Sequence, residues 1–177
     1  FIDDTGKVVS GSMMTTLIAD YLSEKNNNLK VVYNVNVSPH ALSILDSKNI
    51  SLFRCKVGHS NIKAMMKELE ADFGGEHSAH FYYKDNYFAD SAIITLLIFL
   101  SIVSEREEKV SNMIDTYNFP PSSGEINFVV EDVDSSLEKI KSVFTGKFDE
   151  LDGLSYFDEN FWFNVRASNT EPKLRVN

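Results

Sequence analysis

Apolar residues recur at helical spacing near the start of the chain. Met13, Met14, Leu17, Ile18, Tyr21 and Leu22 mark one face of an amphipathic helix over residues 12–24. Residues 1–6 read as a strand followed by a turn, and 30–35 as a β-rich run. Ser38-Pro39 has the form of an N-cap with proline at the first helical position. Residues 52–57 predict another strand. Ser60 is a candidate cap for a helix whose apolar face is Ile62, Met65, Met66 and Leu69. Residues 71–75 predict a short strand. The aromatic stretch 80–88, with Lys84-Asp85-Asn86 at its middle, predicts a hairpin. Asp90 or Ser91 can cap the apolar helix that follows. Strands alternating with helices over 6–115 predict a layered α/β/α domain.

Past Phe119-Pro120-Pro121-Ser122-Ser123-Gly124, the best linker candidate, the pattern changes. Ile126, Phe128 and Val130 alternate as in a strand. Ser135 with Glu138 forms a possible capping box for a helix carrying Leu137, Ile140, Val143 and Phe144. Two or three strands follow, punctuated by Asp152-Gly153 and Asp158-Glu159-Asn160, and 174–176 is strand-like. This β-α-β-β-β order predicts a small α+β domain with an antiparallel sheet. The domains expected are thus 1–118 and 119–177. The start of the chain inside a strand, without Met, suggests a piece of a longer protein.

Composition narrows the class. A net charge of −9 argues against nucleic acid, since no basic stripe exists to neutralise a phosphate backbone. A small phosphorylated ligand needs only local cations such as Arg166, Lys173 and Arg175. The lone Cys55, in an apolar run, reads as a buried structural thiol in a reducing, cytoplasmic setting. The apolar run 92–103 is too short to span a bilayer and predicts a buried helix, so no membrane partner is expected.

Two polar segments carry candidate chemistry. Residues 166–172 read Arg-Ala-Ser-Asn-Thr-Glu-Pro, between strand-like runs. Arg166 offers a planar fork of donors suited to phosphate. Ser168, Asn169 and Thr170 add short polar side chains, and a bent backbone can aim N–H groups at the same anion. A polar hairpin turn is the other reading. Residues 74–80 read Gly-Gly-Glu-His-Ser-Ala-His. In an extended loop Glu76 and Ser78 face the same way and could meet one sugar face, the carboxylate accepting two hydroxyls; a surface loop is the alternative. His80 can exchange a proton near neutral pH, or be a packed structural residue. His77 is given no role, and His40 is expected at the surface.

These motifs, with Val57-Gly58-His59-Ser60-Asn61-Ile62-Lys63 and Ser123-Gly124-Glu125-Ile126-Asn127-Phe128, resemble the C-terminal half of the α-D-phosphohexomutase family, which includes phosphomannomutase and phosphoglucomutase. Four motifs in the family's order cover nearly the whole chain, and the Glu-His-Ser-Ala-His form most resembles bacterial phosphomannomutases. The resemblance implies the third, sugar-binding domain over 1–118 and a truncated fourth, phosphate-binding domain over 119–177. It implies that Glu76, Ser78 and His59 contact the sugar, that His80 is the general acid/base, and that Arg166, Ser168, Asn169 and Thr170 hold a phosphate. Lys63 is expected to be a solvated or structural charge. The implied activity interconverts mannose 6-phosphate and mannose 1-phosphate through a phosphoserine enzyme, with Mg²⁺ as cofactor and a sugar bisphosphate as intermediate and activator. The family's serine loop and aspartate-rich metal loop have no counterpart in this sequence. The expected partners are therefore a phosphorylated hexose and preceding domains of the same polypeptide, with the chain alone inactive. The two domains are expected to meet across a cleft hinged at 119–124. The family's Asp-Val-Lys-Cys pattern reads Asn34-Val35-Asn36-Val37 here, so one cationic contact is replaced by neutral Asn36. Phosphoglucomutase, phosphoglucosamine mutase and a non-catalytic sugar-phosphate-binding module stand as alternatives.

Overall fold

The computed structural model describes residues 1–168 and 173–177. The chain divides into two units, Phe1–Pro120 and Pro121–Asn177, each with its own sheet.

The first unit runs α1 (Gly11–Ser23), β1 (Leu29–Asn34), α2 (Pro39–Ser43), β2 (Ile50–Cys55), α3 (His59–Leu69), β3 (Phe73–Gly75), β4 (Phe81–Tyr83), β5 (Ala89–Asp90), α4 (Ala92–Arg106) and α5 (Val110–Thr116). The strand order is β2-β1-β3-β4-β5. β1 pairs parallel with β2 and β3, whereas β3–β4 and β4–β5 are antiparallel. Alternation along the strands divides the apolar residues between two faces. Val31, Phe73 and Tyr83 lie in register and face the core built on α1, with Met14, Leu17 and Ile18. Val32, Gly74 and Tyr82 are the next positions along. They face α3, whose Ile62 and Met66 are wholly buried. Truncating either to Ala would cost about 2–5 kcal/mol. Gly74 is what lets α3 approach, since a Cβ there would lie 2.6 Å from the Met66 sulfur.

Local capping differs from the sequence reading in two places. α3 begins at His59 after Gly58, whose φ of 118° only glycine adopts freely, so Ser60 lies inside the first turn and caps nothing. The helix of the second unit, α6 (Val133–Val143), is capped by Asp132, whose side chain accepts from the Ser135 amide; an aspartate one turn earlier pre-empts the Ser135 capping box. Ser91 caps α4 as expected. The expectation that α4 is a buried helix is overturned. Thr95 and Ile102 are buried, but Ile93, Leu96, Leu97 and Leu100 are exposed, because this helix is apolar all round and only one face meets the unit's core. α5 was not foreseen; Met113 and Tyr117 anchor it in the core. Cys55 is buried and reduced. Among the described residues no helix is long and apolar enough to cross a membrane.

The second unit runs β6 (Ile126–Val129), α6, β7 (Lys147–Asp149), β8 (Leu154–Phe157), β9 (Trp162–Ala167) and β10 (Lys173–Val176), in the fully antiparallel order β6-β10-β9-β8-β7. It has one strand more after the helix than the β-α-β-β-β reading. One sheet face is apolar. Phe144, immediately after α6, docks against Tyr156 and Phe163 with ring centroids 5.0 and 5.1 Å apart. The other face presents Asn127, Arg175, Arg166, Asn164 and Ser155, adjacent in register across four strands.

Candidate functional site

The Glu76–His80 segment links β3 to β4. It is a tight turn rather than an extended loop. The Ala79 amide donates to the Glu76 carbonyl at 3.0 Å, the Glu76 amide donates to the His80 carbonyl at 3.0 Å, and Ala79 sits at φ 63°. The extended-loop basis for pairing Glu76 with Ser78 therefore fails: the turn sends Glu76 inward and leaves Ser78, Ala79 and His80 exposed, and the two are linked instead through the His80 ring. The turn rests on the first residues of α1. A Cβ on Gly11 would lie 2.5 Å from the Glu76 carbonyl oxygen and 2.7 Å from the Ala79 nitrogen. A Cβ on Gly75 would lie 2.5 Å from the Thr15 methyl. Ser12 Oγ lies 2.9 Å from His77 Nδ1 and accepts from the Ser38 amide at 3.3 Å, fastening the turn to the N-termini of α1 and α2. His77, given no role from sequence, is thus a structural anchor of the turn.

Glu76 is 4% exposed, and its carboxylate is met by donors from three other places in the unit. Asn34 Nδ2 donates to Oε1 at 3.0 Å, and the Gly58 amide reaches the same oxygen at 3.4 Å. The Tyr82 hydroxyl donates to Oε2 at 2.6 Å. Burial pushes the Tyr82 phenol above its ordinary range, and the adjacent Glu76 carboxylate pushes it the same way, so the hydroxyl keeps its proton. His80 Nδ1 lies 3.9 Å from Glu76 Oε2 and 3.0 Å from Ser78 Oγ, with over half of its ring exposed. Glu76, Ser78 and His80 thus form one cluster, joined by the Gly58 amide; the exposed His59 follows Gly58 in the chain as the first residue of α3. Such a cluster can accept from a hydroxyl, donate to one, and move a proton.

Sequence reasoning missed Asn34 and Tyr82. Their signal was faint: an amide ending a strand, and one tyrosine in an aromatic run. Asn36 is buried, and its side-chain oxygen has no hydrogen-bond partner among the described residues. Lys63 forms an ion pair with Asp90 at 3.5 Å and lies over the Tyr82 ring, a structural charge as expected. His40 is half-buried rather than at the surface.

In the second unit, Arg166 lies near the end of β9, directly opposite Arg175 on β10. Both Nε atoms are buried without a partner among the described residues. Arg175 Nη1 is a long 3.9 Å from Glu125. Gly153, at φ 69°, passes against the Arg166 backbone, where a Cβ would meet Arg166 Cα at 2.8 Å. The Ser168 amide donates to the Lys173 carbonyl at 2.8 Å. Asn169 and Thr170, also expected in this loop, lie outside the described residues. Among the described residues no group of three or more His, Cys, Asp or Glu could hold a metal ion.

Residues 10–118 match the family model for phosphoglucomutase/phosphomannomutase alpha/beta/alpha domain III, and residues 125–177 match that for the C-terminal domain. A phosphomannomutase of Methanocaldococcus jannaschii is 38% identical over 99% of the chain, and that of Escherichia coli K12 is 29% identical over 99%. The chain spans 39% of the length of each. A phosphoglucomutase/phosphomannomutase family protein from Burkholderia thailandensis superposes with a TM-score of 0.82 at 22% identity, covering 99% of this chain and 39% of that one. The open form of a Paramecium phosphoglucomutase, parafusin, gives 0.73 at 16%, covering 99% and 37%. Both domain matches fall in order along a chain whose two units have the corresponding folds, so the chain belongs to the phosphoglucomutase/phosphomannomutase family and carries its third and C-terminal domains.

Proposed function

We propose that this chain is the substrate-recognition portion of a phosphohexomutase that interconverts mannose 6-phosphate and mannose 1-phosphate. The observation that carries the reading is the Glu76–Ser78–His80 cluster, a buried acceptor beside an exposed imidazole on one rigid turn. In this reading Glu76 accepts from a sugar hydroxyl, and Ser78 and His59 add contacts. His80 takes the proton from the hydroxyl that receives the phosphoryl group and returns it in the reverse direction. Its exposed ring can reach a bound sugar, while Ser78 and Glu76 hold its Nδ1 edge. Arg166, with Ser168, Asn169 and Thr170, takes the phosphate that is not transferred. Binding energy at that remote group orients the reacting end.

The phosphoserine nucleophile and Mg²⁺ belong, in this proposal, to domains outside the chain, in a cytoplasmic enzyme. When bound, the ion would supply charge stabilisation at the serine. The second reading keeps the chemistry and changes the sugar to glucose or glucosamine. Neutral, buried Asn36 favours keeping that reading, since it stands where the family's Asp-Val-Lys-Cys pattern has Lys.

Coupled assays on mannose 1-phosphate, glucose 1-phosphate and glucosamine 1-phosphate test the proposal. The longest polypeptide carrying this chain should turn over mannose 1-phosphate fastest, and the 177-residue chain should turn over none of the three. A preference for either other sugar selects the second reading. Metal-dependent turnover by the short chain, with host mutase excluded, would refute the division of labour.

A further inference from the structure

Glu76 holds a carboxylate in a nearly closed site, with Nδ1 of the exposed His80 3.9 Å from its Oε2. Burying a carboxylate is costly unless hydrogen bonds replace its water. Three neutral donors do so, from the end of β1, the turn before α3, and β4. The N-terminus of α3 adds a favourable dipole. The donors are not shared evenly. Oε1 receives two, from Asn34 and Gly58, and Oε2 receives one, from Tyr82. An ionised carboxylate offers about two acceptor sites per oxygen. Oε1 is therefore filled, and the open acceptor lies on Oε2, the oxygen nearest His80.

We propose that Tyr82 and Asn34 are positioning residues that turn Glu76 into a single-point acceptor, with Oε2 receiving one sugar hydroxyl beside His80. The inference rests on the reading of Glu76 as a sugar contact, and it replaces two hydroxyls on that carboxylate with one. Tyr82 is itself rigidly held. It is wholly buried on the α3 face of the sheet, flanked by Gly74 and covered on its ring by Lys63. Asn34 could not be Asp without turning a donor into a second carboxylate 3.0 Å from Glu76. The amide in this motif is thus matched to the tyrosine across the sheet.

A double-mutant cycle in the longest polypeptide carrying this chain tests the inference, with calorimetry on mannose 1-phosphate. Glu76→Gln should weaken binding by about 10-fold or more, as for a hydrogen bond to a charged group. Tyr82→Phe, nearly isosteric, should weaken it by about 3- to 10-fold, because it loosens the carboxylate without removing it, and steady-state assays should show the loss as a KM rise with kcat little changed. In the Glu76→Gln background Tyr82→Phe should add less than about 2-fold, because its effect passes through the carboxylate. Asn34→Asp should weaken binding more than Tyr82→Phe in the wild-type background. Melting temperatures of each variant separate folding loss from binding loss. Additive losses in the cycle, or an unchanged constant for Tyr82→Phe, would overturn the positioning role while leaving Glu76 as a sugar contact. An unchanged constant for Glu76→Gln would remove that contact itself, and this inference with it.

Discussion

Arg166 and Arg175 stand directly opposite one another on β9 and β10, so their side chains share one face of the sheet. Like charges directly opposed across strands are destabilising, and the long contact to Glu125 does little to offset them. An anion between or beside the two would convert the repulsion into shared attraction. Inorganic phosphate should therefore raise the melting temperature of the second unit, and the rise should shrink in both Arg166→Ala and Arg175→Ala. Arg166→Ala should also weaken sugar-phosphate binding by more than Lys173→Ala does. A bidentate contact to a phosphate is worth about 1.5–3 kcal/mol, whereas Lys173 acts as a point charge past the loop. Equal losses, measured by calorimetry at fixed salt, would move the phosphate site away from Arg166.

Gly11→Ala should disturb the candidate site without touching it. The added methyl would press on the Glu76 and His77 carbonyls and the Ala79 amide, which are backbone and cannot rotate away. Overpacking of this kind costs about 1–3 kcal/mol. The turn that seats Glu76 should shift with it. The expected outcome is a lower melting temperature together with weaker mannose 1-phosphate binding. Wild-type affinity in a folded Gly11→Ala protein would mean that the seat on α1 is irrelevant to recognition.

Ala79→Gly should have the opposite sign. Ala79 is held at φ 63°, where a Cβ is strained, and it is exposed, so no packing is lost. Glycine relieves the strain but adds unfolded-state entropy, leaving a net gain of up to about 1 kcal/mol. Denaturant unfolding would read it. A destabilised Ala79→Gly would show that the turn's strain is offset by an alanine contact.

The fold was legible where one physical signal dominated. The apolar face of α1 and the Gly74-Gly75 end of β3 placed their elements within a residue or two, because period and turn chemistry agree there. The caps of α3 and α6 were misplaced, since Ser60 and Ser135 fit a local cap rule, whereas the cap positions are taken by Gly58, two residues earlier and with no side-chain bond, and by Asp132, three residues earlier. α4 looked buried because composition reports apolarity, not which face finds a partner. At the candidate site, the motif singled out Glu76, Ser78 and His80, which the turn brings together. The inward turn of Glu76 was not, because it depends on Ala79 adopting a left-handed backbone that no residue type announces. Asn34 and Tyr82 were invisible for a related reason: their role exists only once β1 and β4 lie on either side of β3.

Asp20 supplies the pH dependence expected of the first unit. It is buried on α1, its Oδ2 accepting from Tyr117 at 2.7 Å and Arg106 at 3.0 Å, with Lys48 paired to Oδ1. Burial on its own pushes this carboxyl up, but hydrogen bonds from Lys48, Tyr117 and Arg106 outweigh it and hold the group below its ordinary value of 3.8. A carboxylate depressed in the folded state contributes stability that is fully present above its unfolded pKa. That contribution is lost as pH falls from about 4 through the folded value. The melting temperature of the first unit should therefore be flat with respect to this group from neutral pH to about 5, then fall steeply below about 4. Asp20→Asn should flatten that acid limb and lower stability at neutral pH by at least about 1 kcal/mol. The loss should stay below the ~3–5 kcal/mol of a wholly buried pair, because Lys48 and Arg106 remain partly in water. An acid limb unchanged in Asp20→Asn would assign the pH dependence to other carboxylates and leave Asp20 a contact of packing alone.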